Sequence, residues 1–231
     1  FVGGVIEKPV IKGEIQARGL GCALYAFDDN RQPVVDSLGE MVITKPMPSM
    51  PVFFWNDPGK KKYHSSYFED IPGVWRHGDW VRITHDGGIV IYGRSDATLN
   101  RQGIRIGTAE IYRVLNEIPE IEDGLIVNLE LEGGRHYMPL FVKLRNGLVL
   151  DKGLIATIAR ALKSKCSPRH VPDEVIQVTD IPYTISGKKM EAPVKKILMG
   201  MEADSALNKD AMRNPESLQF FKLFEVPQEE G

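Results

Sequence analysis

Apolar positions along the chain fall into two textures. Over the first ninety residues they come in short runs separated by turns. Met41 to Lys45 is apolar-rich, and Pro46, Pro48 and Pro51 then break any regular element. Trp80 to Thr84 alternates, His85-Asp86-Gly87-Gly88 turns, and Ile89 to Tyr92 returns, which is the pattern of a β-hairpin with an Asp-Gly signal. Beyond Arg94 the period lengthens. Ile111, Val114, Leu115 and Ile118 predict a helix that starts at an N-cap Thr108, carries Glu110 in its first turn and is stopped by Pro119. Leu154, Ile155, Ile158 and Leu162 predict a second over roughly 154–163, with lysines at its C-terminal end. Val194, Ile197, Leu198 and Met201 predict a third over roughly 193–201, with Pro193 in its first turn. Strands are expected at Leu125–Leu129, Met138–Leu144 and Val175–Thr179. The change of texture divides the chain into 1–94 and 95–231 and gives an α+β fold class. The last thirty residues are polar and weakly periodic, so their order is expected to depend on docking.

Composition narrows the class. The 231 residues carry 29 Lys plus Arg against 31 Asp plus Glu, a formal net charge of −2. So balanced a chain supplies no strong basic field for nucleic acid or an acidic membrane surface. At 42% hydrophobic residues it can bury a core, and no apolar run approaches a membrane span. Two cysteines, Cys22 and Cys166, do not make a disulfide framework and read as a reducing, cytoplasmic compartment. The histidines at 64, 77, 85, 136 and 170 are scattered, with no Cys/His metal-ligand spacing. The first residue is Phe1, not Met, and no secretory leader pattern follows it. The chain is expected to be either processed or part of a longer protein.

Three segments could carry chemistry. Gly187-Lys188-Lys189 suggests a phosphate loop, but that pattern requires Gly where Pro182 stands and Ser or Thr where Lys189 stands, so it is rejected. What remains is a turn-rich loop, Ile181 to Lys188, with one lysine at an exposed tip; such a lysine is ordinarily a solvated charge. Asp79 in Gly78-Asp79-Trp80 could accept two ribose hydroxyls or simply bond its own backbone. Residues 93–107 (GRSDATLNRQGIRIG) have the wrong glycine spacing for a dinucleotide fingerprint and read equally as a charged linker or a functional loop.

Taken in order, Gly-Asp, hairpin, Gly-Arg-x-Asp, Gly-x-Arg-Ile-Gly-x-x-Glu-Ile and a late Ser-Gly-Lys resemble the adenylate-forming superfamily, which includes acyl-CoA synthetases, luciferases and peptide-synthetase adenylation domains. Phe54-Trp55-Asn56-Asp57-Pro58, the run Pro72 to Trp80, Ser167 to Pro172, Gly187-Lys188-Lys189-Met190-Glu191 and Asn214-Pro215-Glu216-Ser217-Leu218 are similar to its short-chain acyl-CoA synthetases, and the likeness covers nearly the whole chain.

The resemblance implies a β-rich end of a large AMP-binding domain over 1–94, whose earlier part is a missing partner, and a small mobile α+β domain over 95–231. It implies ligation of acetoacetate to CoA with ATP through an acyl-adenylate, in the cytosol, with Mg²⁺ arriving on ATP. Acetate or propionate as the acid, or a non-catalytic nucleotide- or CoA-binding role, are its alternatives. By position, Asp79 would hold the ribose hydroxyls and Arg94 and Arg105 would bind ATP or AMP. Asp96 would be the hinge on which the small domain turns between half-reactions. Gly103 would pass close to the pantetheine of CoA. Lys163 would reach CoA phosphates or serve only as a charge at a helix C-terminus. Lys188 would be the catalytic lysine of adenylation, a placed ammonium where charge develops on oxygen. Ile118 stands where a related branch has a metal-binding His, so no metal ligands are transferred. Lys189 departs from the Ile or Leu of other branches.

Overall fold

The computed structural model describes residues 1–95, 99–101, 104–206 and 209–227; of these, the side chains at 100, 104, 105, 132, 204, 205 and 209 are outside the description. The chain divides into two compact units, Phe1–Asp96 and Ala97–Gly231.

In the first unit, strands β1 (Leu24–Phe27), β2 (Pro33–Val34), β3 (Leu38–Ile43), β4 (Trp75–Ile83) and β5 (Ile89–Arg94) form one antiparallel sheet in the order β2-β1-β3-β4-β5. The predicted hairpin is β4–β5, paired Ile83 to Ile89. Leu24, Ala26, Met41, Ile43, Trp75, Val81, Ile83 and Ile89 are buried together. A short helix, α1 (Lys61–Tyr67), was not foreseen, because its residues KKYHSSY carry no apolar stripe. Its tyrosines hold it instead: Tyr67 stacks on Trp75 with ring centroids 4.0 Å apart, and Tyr63 meets Trp75 and Phe54 edge-on.

In the second unit, β6 (Leu99–Arg101) pairs with β7 (Ile104–Ile106), and helix α2 (Thr108–Leu115) follows. The central sheet has the order β8 (Ile121–Ile126), β11 (Pro139–Leu144), β12 (Glu174–Gln177), antiparallel then parallel. A two-stranded ribbon, β9 (Leu129–Glu130) with β10 (His136–Tyr137), sits between β8 and β11 in the chain. Successive strand residues face opposite sides, and here both sides are covered. Ile126, Leu140 and Val142 pack with Ile111, Val114 and Leu115 of α2 and with Ile158 and Leu162 of α3 (Lys152–Lys165). Leu125 and Phe141 pack with Val194 and Leu198 of α4 (Glu191–Leu198) and with Leu218 and Phe221 of α5 (Leu218–Leu223). That explains why Leu140-Phe141-Val142 are apolar in succession, without alternation.

Local chemistry shifts several boundaries. Gly107, not Thr108, is the N-cap of α2, and Thr108 is buried as its first residue. Asp151 starts α3 earlier than its stripe suggests, accepting a 2.7 Å bond from the Leu154 amide. Helix α4 ends at Leu198, so Met201 lies beyond it and 44% exposed, not facing inward. The predicted strand 125–129 divides into the end of β8 and the start of β9. The tail docks: Phe221 packs edge-on to Phe141 at 4.9 Å, and Met212 is buried with the same core.

Candidate functional site

The first cluster lies where β4 leaves its ladder. Against β3 the register passes from Glu40↔Trp80 to Val42↔Arg76, so His77, Gly78 and Asp79 bulge from the sheet. Asp79 is the direct cross-strand partner of Arg94 on β5. Two candidates far apart in the sequence are thus adjacent by register. The Asp79 Oδ2 atom meets His77 Nδ1, and its Oδ1 has no hydrogen-bond partner among the described residues. Gly78 has φ +88°, which calls for glycine in the turn of the bulge, and a Cβ there would lie 2.9 Å from Arg94 Nη2 and displace the guanidinium.

Beneath the bulge is a carboxylate that the sequence reading did not single out. Glu40 Oε1 accepts from the Gly78 amide and from Ser95 Oγ, both at 3.1 Å, and Glu40 Oε2 is 3.4 Å from Arg76 Nε. Arg76 also pairs with Asp70 and donates to Ser95 Oγ at 3.2 Å. Burial pushes the Glu40 carboxyl up, against the opposing pull of Arg76, Ser95 and the Gly78 amide. A cleft of about 560 Å³ opens here, lined among others by Phe1, Tyr67, Trp75, His77 and Arg94. An aromatic wall with a guanidinium at its edge can hold a flat base. No short-range signal marks Glu40, which lies 38 residues from Gly78.

The second cluster is the turn that carries Lys188. The Thr184 amide donates to Lys188 O (2.9 Å), Gly187 N to Thr184 O (2.9 Å), and Lys188 N to Thr184 Oγ1 (3.0 Å). Gly187 has φ +79°, as a hairpin turn closed by a left-handed residue needs. Ser-Gly-Lys is therefore turn chemistry as well as a motif. Tyr183 and Lys189 pair across the base of this turn. Lys188 is exposed at its tip, and Nζ has no partner among the described residues. Lys189 is the reverse: Nζ donates to Asp123 Oδ1 (2.5 Å) and Gly124 O (2.6 Å) and lies 3.9 Å from the centre of the Tyr112 ring.

The tail closes the other side. Thr184 pairs with Met212, Ile185 N donates to Ala211 O, and Arg213 N donates to Tyr183 O, both at 2.9 Å. Asn214, 7% exposed, accepts from the Tyr183 amide (2.9 Å) and donates to Ile181 O (2.8 Å) and to Asp180. The Asn-Pro-Glu-Ser segment is thus a clamp on the lysine turn, which no periodicity could reveal.

Of the remaining candidates, Lys163 is part of neither cluster as described. Lys163 is exposed in the last turn of α3. Arg105 belongs to β7 by its backbone, with its side chain outside the description. Asp96 and Gly103 lie outside the described residues. Ile118 is buried with the α2 core. Among the described residues no three or more His, Cys, Asp or Glu group together to hold a metal ion, and no helix is long and apolar enough to cross a membrane.

The architecture of both units is that of the C-terminal part of adenylate-forming enzymes. A solved anthranilate-CoA ligase in complex with anthranoyl-AMP shares the fold at TM-score 0.67 and 20% identity, over 86% of this chain and 37% of that one. Sequence makes the relation specific. The chain is 46% identical over 221 residues to the acetoacetyl-coenzyme A synthetase of Rhizobium meliloti, covering 96% of this chain and 33% of the relative. It superimposes on acetoacetyl-CoA synthetase from Streptomyces lividans with TM-score 0.90 and 48% identity, again over 96% and 33%. No protein-family model matches. The chain belongs to the acetoacetyl-CoA synthetase family of adenylate-forming enzymes. It spans about a third of the length of the relatives it matches.

Proposed function

We propose that this chain is the C-terminal portion of an AMP-forming ligase that joins acetoacetate to CoA. The observation that carries the reading is the contrast within one dipeptide: Lys188 stands exposed on a turn tethered from both flanks, while its neighbour is consumed by the fold. A fixed turn with one mobile ammonium is what nucleotidyl transfer asks of a protein. In the first half-reaction a carboxylate oxygen bonds to the α-phosphorus of ATP and pyrophosphate leaves with the electron pair of the broken P–O bond. Lys188 would offset negative charge on the carboxylate and the bridging oxygen. In the second, the CoA thiol, losing its proton, attacks the acyl carbon and AMP leaves.

Asp79 Oδ1 would accept from the ribose hydroxyls, held in place by His77, with Arg94 beside it on the paired strand. Arg105 and Gly103 remain the family-implied contacts to nucleotide and CoA, Lys163 a CoA contact, Asp96 the hinge, and 94/95 the functional boundary. Mg²⁺ would arrive with ATP; the described carboxylates and histidines do not group around a cation, and no step is routed through it. Acetoacetate is favoured over acetate or propionate by the names of the relatives. A phosphate loop rich in Gly, Ser and Thr does not occur in the sequence of these 231 residues. A substrate panel on the intact enzyme decides the acid.

The test of the lysine is Lys188→Ala in the intact enzyme. Carboxylate-dependent exchange of pyrophosphate into ATP should be lost, by about 100-fold or more, while thioester formation from supplied acyl-adenylate continues. Equal loss of both half-reactions would falsify this division of labour.

A further inference from the structure

Asp123 on β8 binds both strands of the Lys188 turn at the level where they pair. Its Oδ1 accepts from Lys189 Nζ at 2.5 Å and its Oδ2 from the Tyr183 hydroxyl at 2.6 Å. Lys189 is further fixed by the Gly124 carbonyl and the Tyr112 ring. Tyr112 is itself immobilised: its hydroxyl donates to Glu191 Oε1 at 2.5 Å and accepts from the Ile126 amide at 3.2 Å. The network therefore runs from the central sheet, through α2 and the first residue of α4, to the base of a single exposed turn. Burial and the adjacent carboxylates push both phenols up, so each stays a hydrogen-bond donor across the working pH range.

We propose that Lys189, acting through Asp123 and Tyr183, is the positioning residue that sets the backbone from which Lys188 extends. The inference rests on the reading of Lys188 as the adenylation lysine. A lysine stem of four rotatable bonds can deliver its charge reproducibly only if its Cα is fixed, and a displacement of about 1 Å at a reacting centre can lower a rate by about 100-fold. Lys189 performs that fixing with an ammonium the reaction never meets. An apolar residue there could pack against Tyr112 but could not join the Asp123 carboxylate to the Gly124 carbonyl.

The experiment uses the intact enzyme with Lys189→Met, Lys189→Arg and Tyr183→Phe, each assayed for both half-reactions. Lys189→Met should lower the kcat of adenylation by about 10- to 100-fold. The KM for ATP should stay within about threefold, and thioester formation from supplied adenylate within about twofold. Lys189→Arg should recover most of the adenylation rate, and Tyr183→Phe should fall between. Proportional loss of both half-reactions, or wild-type adenylation by Lys189→Met, overturns the proposal. If Lys189→Met does not fold, the milder Tyr183→Phe carries the test with the same split. If Lys188→Ala itself adenylates normally, the underlying reading fails. If Lys188→Ala is dead and Lys189→Met is not, only the positioning role fails.

Discussion

Replacing Asn214 by alanine removes the side-chain part of the clamp between the tail and the lysine turn without touching Lys188, and leaves the backbone pairing of Ala211, Met212 and Arg213 in place. Three groups lose a partner: the Tyr183 amide, the Ile181 carbonyl and the Asp180 carboxylate. Each buried polar group left unpaired costs about 1–3 kcal/mol. Ile181 is fully buried, so its carbonyl bears the full penalty, whereas the half-buried Tyr183 amide regains part of its own from water and Asp180 keeps Lys143 at 3.1 Å. The sum is about 3 kcal/mol, which for a unit of this size is roughly 10 °C in Tm. All three tryptophans, at 55, 75 and 80, lie in the first unit, so the second is followed by far-UV circular dichroism, which should show an earlier transition. Amide exchange at Thr184 to Lys188 should accelerate by the corresponding factor. Ser217→Ala, which loses one buried bond to the Asn214 carbonyl, should cost about 1 kcal/mol and serve as the graded control. A loss below about 0.5 kcal/mol for Asn214→Ala, with native exchange in the turn, would refute the clamp.

Two further outcomes concern the first unit. Because the folded pKa of Glu40 is raised, its contribution to stability is present below the unfolded carboxylate value of about 4.3 and is lost as pH rises through the folded pKa. Glu40→Gln should therefore flatten the fall in stability of this unit as pH rises from about 4; urea melts followed by tryptophan fluorescence at several pH values check it, and parallel profiles for the two proteins would contradict it. Gly78→Ala forces a Cβ onto a left-handed backbone and against Arg94, at about 1–2 kcal/mol. In the intact enzyme it should raise the KM for ATP several-fold and leave that for CoA alone; an unchanged KM for ATP would remove Arg94 from the nucleotide site.

What could be read in advance followed the kind of force involved. The stripes Ile111–Val114–Leu115 and Ile158–Leu162 and the alternation into Ile89 are hydrophobic periodicities, and each sits in the core as its spacing requires. Boundaries moved where a single hydrogen bond decides, as Asp151 does for α3. Helix α1 escaped because aromatic stacking on Trp75, not a stripe, holds it. At the site, motif order singled out Asp79, Arg94 and Lys188. Their supports, Glu40, Asp123 and Asn214, are 38, 66 and 31 residues from the groups they hold. They are chosen by contacts that exist only after the chain has folded, so neither local propensity nor spacing carries a trace of them.

The tail strap also sets a time order. Synthesis runs from N- to C-terminus, and Asn214 leaves the ribosome 31 residues after the Tyr183 amide it must cap. With roughly that length of chain still inside the exit tunnel, the sheet and α2 can already be in place while the lysine turn is open on one side. The turn is therefore closed on its second side only after Asn214 has emerged, later than the sheet it leans on. A nascent or prematurely terminated chain ending before Ala211 would carry Lys188 on a half-tethered turn.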